Sequence, residues 1–240
     1  MKTDLFRLEI EKGIATIWID SQKDKMNIVS PSLIGDFEAV FQEVANNKDV
    51  LGAVLISGKK DFIAGADIKS FKGEKVGDFQ PFSRKGHELL QKIEDSKKPI
   101  VSAIHGTCYG LGVELSLACN ARVCSNDSKT KLALPEVKLG LLPGGGGTQR
   151  LPRLVGLQKS LDIMLTGKNI FPYPAKKMGL EVLPPDVNTS FEDFRAIDKK
   201  CIAYGLSAIK NQGTKASIAI SDNRQKIGKY NTLFDIVKIE

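Results

Sequence analysis

The stretch KLALPEVKLGLLPGGGGTQRLP, residues 131–152, decides how the rest of the chain is interpreted. An apolar run ends in a Pro-Glu pair at Glu136, and four consecutive glycines follow at Gly144 to Gly147. These glycines lack the lysine that a phosphate-binding P-loop requires. The other cluster, Gly110-Leu111-Gly112, continues to Leu115 where a dinucleotide motif needs a third glycine. The sequence therefore disfavours an ATP or NAD site.

Composition narrows the class of protein. The chain has 240 residues, of which 42% are hydrophobic, so it can bury a full core. It contains no apolar run of about 18 residues, and its first residues carry charges where a signal peptide would be apolar. We therefore expect a cytoplasmic protein with no membrane partner. The net charge of +7 is scattered rather than arranged in a basic stripe, which disfavours nucleic acid and suits a small polyanionic ligand.

Two other kinds of site find little support. The four cysteines form no C-x-x-C pair, and the two histidines add no ligand at metal spacing, so we expect reduced cysteines and no metal. The nucleophile-elbow pattern G-x-S-x-G is absent as well, which disfavours a serine hydrolase.

The order of predicted elements indicates an α/β fold. The pattern predicts a hairpin over 4–20, a helix that begins after Ser30 as N-cap, strands over 52–58, from Pro99, from Ala121 and over 131–134, and helices over 79–96, 112–119, 157–167 and around 191–211. Strands that alternate with helices in this way favour partly parallel pairing.

Two acids and two glycine-rich turns are the candidates for chemistry. Glu114 and Glu136 each lie beside apolar residues, where an unpaired carboxylate is costly and its pKa rises. Such acids are usually paired, protonated or functional. The turns at 64–67 and 110–112 each open a short helix, so their free N–H groups could stabilise a developing oxyanion by about 3 kcal/mol per donor.

Together these segments resemble the crotonase (enoyl-CoA hydratase/isomerase) superfamily. The matching motifs are DKMN (24–27), FIAGADIKSF (62–71), IHGTCYGLGVELSLAC (104–119) and LPEVKLGLLPGGGGTQRLPRLVG (134–156). They are most similar to the hydratase module at the N-terminus of bacterial multifunctional fatty-oxidation proteins. The resemblance implies an α/β spiral of β-β-α units with a C-terminal helical region. It divides the chain into a crotonase core over 1–180 and a divergent, mainly helical region over 181–240.

The resemblance also implies a catalytic arrangement. Glu114 would deprotonate the water that attacks the β-carbon of an enoyl thioester, and Glu136 would deliver a proton to the α-carbon. The backbone N–H groups of Ala66 and Leu111 would form the oxyanion hole, with Leu111 standing where the family usually has glycine. The CoA thioester is the substrate, so no separate cofactor is implied.

Substrate contacts and partners follow from the same resemblance. Lys25, Ala64, Asp67, Ile68 and Gly110 would lie nearest the CoA part of the substrate. The family's C-terminal helices commonly build a trimer, so a homo-oligomer (trimer or hexamer) is expected, or association with a β-oxidation dehydrogenase or thiolase.

Three functions stay open at this point. The presence of both glutamates favours an enoyl-CoA hydratase. A Δ3-Δ2 enoyl-CoA isomerase would need only Glu136, and a non-catalytic acyl-CoA-binding member would fit Leu111 and the divergent tail. In each case Gly144 to Gly147 are interpreted as a tight turn that starts a helix at Thr148 and holds Glu136 across the substrate from Glu114.

Overall fold

The computed structural model describes residues 1–71, 80–172, 195–196, 202–203 and 214–229. The chain divides into two units, Met1–Leu183 and Pro184–Glu240. The boundary predicted between residues 180 and 181 lies outside the described residues.

A five-stranded sheet forms the centre of the first unit. Strands β1 (Phe6–Glu11) and β2 (Ile14–Ile19) make the predicted antiparallel hairpin, and β2 then pairs in parallel with β3 (Gly52–Ser57). Parallel pairing continues through β4 (Ile100–Ile104) to β6 (Ala121–Cys124). Every residue of β3 and β4 is buried, as expected for parallel strands that are covered on both faces.

The hairpin turn has the backbone that its sequence predicts. Lys12 and Gly13 form a two-residue loop, and both have positive φ, 49° and 81°. Two-residue loops of this kind match the right-handed twist of the strands they join.

Helices cover the sheet. A 3₁₀ turn at Pro31–Leu33 leads into α1 (Ile34–Asn46), whose buried face contains Phe37, Val40, Phe41 and Val44. The predicted N-cap residue Ser30 makes no capping hydrogen bond; its hydroxyl pairs with that of Ser32 instead. Helix α2 spans Gln80–Glu94, and a 3₁₀ turn occupies Ile68–Phe71.

The remaining elements of this unit place the candidate site. Strand β5 (Thr107–Tyr109) leads into α3 (Leu111–Ala118) and pairs in parallel with β7 (Lys131–Ala133). A 3₁₀ turn at Glu136–Leu139 follows β7, and the glycine-rich segment leads into α4 (Gly147–Val155) and α5 (Leu157–Thr166). Both candidate acids therefore lie in short helical turns that directly follow paired strands.

In the second unit the helix predicted around 191–211 is wrong for the residues that the structure describes. Arg195–Ala196 (β8) and Ile202–Ala203 (β9) form an antiparallel pair. Short apolar runs separated by polar residues fit either a helix face or two strands, and periodicity alone does not distinguish them. A helix, α6, spans Thr214–Ile227. Across the described parts of both units, no helix has the length and apolar character needed to cross a bilayer.

Candidate functional site

An apolar cleft of about 510 Å³ lies between α2, α3 and the segment that follows β7. Its lining includes Leu89 and Leu90 from α2 and Leu139, Leu141 and Leu142 from the segment after Glu136. The polar side chains in the lining are those of Ser83, Glu114 and Glu136. Both predicted catalytic acids therefore face one cavity that is otherwise mostly apolar.

Glu114 is held at the N-terminus of α4. It lies in the first turn of α3 and is only 2% exposed, and its Oε1 accepts hydrogen bonds from the N–H groups of Gly145 (2.7 Å) and Gly147 (2.8 Å). Burial raises the pKa of this carboxyl above its usual value, while the two N–H groups and the Arg150 cation oppose the rise. A helix N-terminus favours a negative charge, so these contacts stabilise the ionised form.

The glycine turn, residues 144–147, thus has a different partner from the one predicted. Its hydrogen bonds go to Glu114 rather than to Glu136, and α4 begins at Gly147 instead of Thr148. Side chains would not fit here: a Cβ on Gly145 would lie 2.7 Å from Oε2 of Glu114, and one on Gly147 would lie 3.0 Å from Oε1. Glycine is required because the carboxylate approaches the backbone so closely.

Glu136 lies in a different environment within the same cleft. It begins the 3₁₀ turn after β7, and its buried Oε2 has no hydrogen-bond partner among the described residues. Burial is the main cause that raises the pKa of Glu136 to about 7. A hydrogen bond from its own backbone N–H opposes the rise, and the nearby Glu114 adds to it. Near neutral pH this carboxyl is therefore protonated in a large fraction of molecules, whereas Glu114 has the contacts that favour ionisation.

Two N–H groups line the cleft without a partner. Among the described residues, neither the Ala66 nor the Leu111 N–H donates a hydrogen bond. Ala66 forms a parallel bridge with Val29. The two hydrogen bonds of this bridge run from Val29 N–H to Gly65 O and from Asp67 N–H to Val29 O, so the Ala66 N–H points away from Val29. Leu111 is the first residue of α3, where an N–H has no partner within its own helix.

Leucine at position 111 is accommodated without backbone strain. Gly110, the residue before it, takes the unusual conformation (φ 53°, ψ −120°), and Leu111 is itself helical. Its side chain packs against the core and approaches Gly145, since a Cβ added there would lie 2.8 Å from Cδ1 of Leu111. The leucine side chain therefore fills space beside Glu114, and the Leu111 N–H stays in place.

The residues predicted to contact CoA divide into two groups. Ala64, Ile68 and Gly110 line the cleft, and a Cβ on Gly110 would lie 2.9 Å from Oε1 of Glu136. Lys25 is exposed and Asp67 accepts a hydrogen bond from the Lys69 N–H; neither is part of the lining. Their contacts with CoA stay predictions.

Sequence reasoning missed the residues that hold Glu114. Gly145 and Gly147 were interpreted as part of a tight turn that holds Glu136. The argument applied to the turns at 64–67 and 110–112, that helix N-termini present free N–H groups, applies equally to α4. No sequence pattern indicated a role for Arg150 or Ser83. Their contacts, Nη1 to Gly145 O at 3.1 Å and Oγ to Gly144 O at 3.1 Å, depend on tertiary packing.

Replacing Glu136 by glutamine is expected to stabilise the protein at alkaline pH. A carboxyl whose pKa is higher when folded contributes stability below its unfolded pKa, about 4.3, and that stability is lost as pH rises through about 7. Glutamine carries no charge at any of these pH values. We expect Tm of Glu136→Gln to exceed that of the wild type at pH 8 by about 2–4 °C, the effect of ~1 kcal/mol in a chain of this size.

The gap in Tm should be smaller at pH 5 and should approach zero near pH 4, below the unfolded pKa of about 4.3. Thermal unfolding of both proteins across this pH range checks the prediction, with the exposed Glu88→Gln variant as the control for loss of a carboxylate. A Tm difference that is the same at pH 5 and pH 8 would contradict it.

Known proteins are similar to this chain in sequence and in fold. The fatty acid oxidation complex subunit alpha of Shewanella amazonensis is 49% identical over 181 residues, which cover 74% of this chain and 26% of the relative; that of Shewanella oneidensis gives the same values. This chain thus spans about a quarter of the length of these relatives. The enoyl-CoA hydratase of Geobacillus kaustophilus superposes with a TM-score of 0.72 at 33% identity, over 77% of this chain and 70% of that one.

Two family models match the chain. A helix-hairpin-helix motif matches residues 179–239, of which the structure describes α6 and the short strands β8 and β9. The enoyl-CoA hydratase/isomerase family matches residues 9–192, which contain the cleft and both glutamates. The fold predicted from the sequence is confirmed, and the chain belongs to the enoyl-CoA hydratase/isomerase family.

Proposed function

We propose that this chain is an enoyl-CoA hydratase that adds water to trans-2-enoyl-CoA to give 3-hydroxyacyl-CoA in fatty-acid β-oxidation. The observation that carries the proposal is the difference between two carboxyls in one apolar cleft. Glu114 is held by two N–H groups, and Glu136 has an unpaired buried oxygen and a pKa of about 7. A base and an acid in adjacent positions are what addition of water to a double bond requires.

Glu114 acts as the base. Its ionised carboxylate takes a proton from water as the water oxygen bonds to the β-carbon. The π electrons of the double bond shift towards the thioester, and the negative charge develops on the thioester oxygen. Because Oε1 of Glu114 accepts from Gly145 and Gly147, Oε2 is the oxygen left to bind the water.

Glu136 acts as the acid. Its proton passes to the α-carbon, which completes the addition and leaves Glu136 ionised and Glu114 protonated. The proton then returns from Glu114 to Glu136, so one proton belongs to the pair as a whole. Both carboxyls bind the same water on one side of the double bond and act from that side, so hydrogen and hydroxyl add to the same face.

The thioester oxygen binds the two unpaired N–H groups of Ala66 and Leu111. Donors that are in place before the charge develops lower the barrier by roughly 3 kcal/mol each. The apolar lining formed by the leucines of α2 and by Leu139, Leu141 and Leu142 binds the acyl chain. The polar CoA portion extends towards Lys25 and Asp67, outside the cleft, and the reaction requires no further cofactor.

An isomerase activity is the second candidate, favoured by the raised pKa of Glu136. A single carboxyl with a pKa near 7 can move a proton between the α- and γ-carbons of a 3-enoyl-CoA. Measuring the absorbance of the conjugated enoyl thioester separates the two activities. Hydration predicts a loss of absorbance with trans-2-enoyl-CoA, and isomerisation predicts a gain with 3-enoyl-CoA. Binding of both thioesters with no absorbance change would leave a non-catalytic acyl-CoA-binding protein.

The name of the relatives suggests the proposed location and partners of this chain. They are alpha subunits of a fatty acid oxidation complex, and this chain matches about a quarter of their length. We propose that the chain acts in the cytoplasm, as a homo-oligomer or in association with a dehydrogenase that oxidises its product or with a β-oxidation thiolase. Size-exclusion chromatography with light scattering tests the homo-oligomer.

A further inference from the structure

Arg150 connects the glycine turn to α2. It lies in α4, with Nη1 donating to the carbonyl of Gly145 at 3.1 Å and Nε donating to Oε2 of Glu94 at 2.8 Å. The arginine side chain is only 9% exposed. The Glu94 side chain is 40% exposed, so the position of the guanidinium depends on its own burial and on the contact with the Gly145 carbonyl as well as on this charge-assisted hydrogen bond.

The two polar groups of Gly145 have different partners. Its N–H donates to Glu114 at 2.7 Å, and its carbonyl accepts from Arg150. The residue is thus held from both sides, by the carboxylate in the cleft and by the guanidinium behind the turn. Moving the guanidinium would release the carbonyl and allow the N–H to turn away from Glu114.

Gly146 provides the room for the arginine. It has φ of 96°, and a Cβ built at this position would overlap Nη1 of Arg150. The same Cβ would lie 3.5 Å from Nδ1 of His87 on α2. The left-handed backbone favours glycine here, and a Cβ would also displace the guanidinium from its present position.

Charge acts in the same direction as geometry. The Arg150 cation lowers the pKa of Glu114, against the larger effect of burial. Other charged or titratable side chains lie on the elements around Glu114: Glu136 across the cleft, Cys108 and Tyr109 on β5, Arg153 on α4, Arg122 on β6 at the far end of α3, and Arg84, Lys85, His87, Glu88, Lys92 and Glu94 on α2. Among the described residues, Arg150 is the cation whose charge shifts the pKa of Glu114.

We propose that Arg150 is a positioning residue for Glu114: its guanidinium fixes the Gly145 carbonyl and so keeps the N–H groups of the glycine turn on the carboxylate. It is not among the residues that line the cleft. The proposal rests on the proposed function for its effect on catalysis, because Glu114 is the base in that reaction. Its effect on the Glu114 carboxyl does not depend on any activity.

The experiment compares Arg150→Gln, Arg150→Lys and Glu94→Gln. Arg150→Gln removes the cation and the double contact, so kcat should fall about 10- to 100-fold, as a displacement of a catalytic group by about 1 Å does, with KM within about threefold. Arg150→Lys keeps the charge and should recover part of that loss. Glu94→Gln keeps an acceptor for Nε and should change kcat by less than about threefold.

Titration of the Glu114 carboxyl is the deciding readout. Carboxyl ¹³C NMR of glutamate-labelled protein, with Glu114→Gln for assignment, should show a higher pKa for Glu114 in Arg150→Gln than in the wild type, and a smaller rise in Arg150→Lys. In the pH profile of kcat, the acidic limb should move to higher pH, by more in Arg150→Gln than in Arg150→Lys.

An unchanged Glu114 titration in Arg150→Gln would overturn the proposal, whether or not the protein hydrates enoyl-CoA. So would equal losses of kcat in Arg150→Gln and Arg150→Lys, since a purely structural arginine gives that result. Should Arg150→Gln fail to fold, the comparison of Arg150→Lys with the wild type decides: an unshifted Glu114 pKa together with unchanged kcat overturns it. If the wild type showed no turnover, only the proposed function would be contradicted, and the proposal for Arg150 would still be tested by the Glu114 titration.

Discussion

Glu114→Gln is expected to lower kcat for hydration of crotonyl-CoA by about 2–4 orders of magnitude, the usual contribution of a positioned acid or base. Glutamine keeps an oxygen that can accept from the Gly145 and Gly147 N–H groups, so the turn should stay in place. What it loses is the ability to take a proton from water. Stopped-flow or steady-state absorbance at the enoyl-thioester band measures the change.

The control for this prediction is Glu88→Gln. Glu88 lies on α2 and is exposed, outside the lining of the cleft. Its replacement should leave kcat and KM at wild-type values. A Glu114→Gln protein that binds crotonyl-CoA and turns it over within tenfold of the wild type would show that Glu114 is not the base.

Gly145→Ala is expected to lower kcat by about 100-fold while it changes affinity for CoA thioesters much less. The new Cβ would lie 2.7 Å from Oε2 of Glu114 and 2.8 Å from Cδ1 of Leu111, closer than side-chain atoms pack. Leucine can rotate away, but the carboxylate is held at Oε1 and must be displaced as a unit. A displacement of about 1 Å at the base has an effect of this size. Steady-state kinetics together with calorimetric titration of a CoA thioester separates turnover from binding.

Gly144→Ala is the matched control within the same turn. Its Cβ would approach only Leu142 O, at 3.9 Å, so kcat should change by less than about threefold. The double variant Gly145→Ala with Leu111→Ala identifies the harmful contact. If the double variant regained wild-type turnover, crowding of Leu111 rather than displacement of Glu114 would be the cause, and the role given to the glycine turn would be wrong.

Much of the first unit could be predicted because its signals are local. The Lys12-Gly13 turn, the fully apolar strands β3 and β4 and the apolar face of α1 with Phe37 and Phe41 each follow from residue type and spacing. The helix expected around 191–211 was wrong for β8 and β9 because strand pairing is not visible in a short apolar run.

The site divides in the same way. Glu114 and Glu136 could be found because acids beside apolar residues are unusual, and the turns at 64–67 and 110–112 because glycine-rich turns open short helices. The resemblance to the crotonase superfamily then implied the N–H groups of Ala66 and Leu111. The partners of Glu114 could not be found from the sequence. Whether the glycine turn contacts Glu114 or Glu136, and whether Arg150 turns towards Gly145, depends on how α3 packs against α4. Such contacts between distant segments are set by tertiary packing.

The most direct test of the central claim, that two carboxyls in one cleft add water to an enoyl thioester, is turnover and binding measured on the same preparation. Crotonyl-CoA absorbance and calorimetric affinity would be recorded for the wild type and for Glu114→Gln/Glu136→Gln. We predict hydration by the wild type, loss of turnover by at least two orders of magnitude in the double variant, and similar affinity in both. Wild-type protein that binds crotonyl-CoA without hydrating it, or a double variant that hydrates it as fast, would contradict the account.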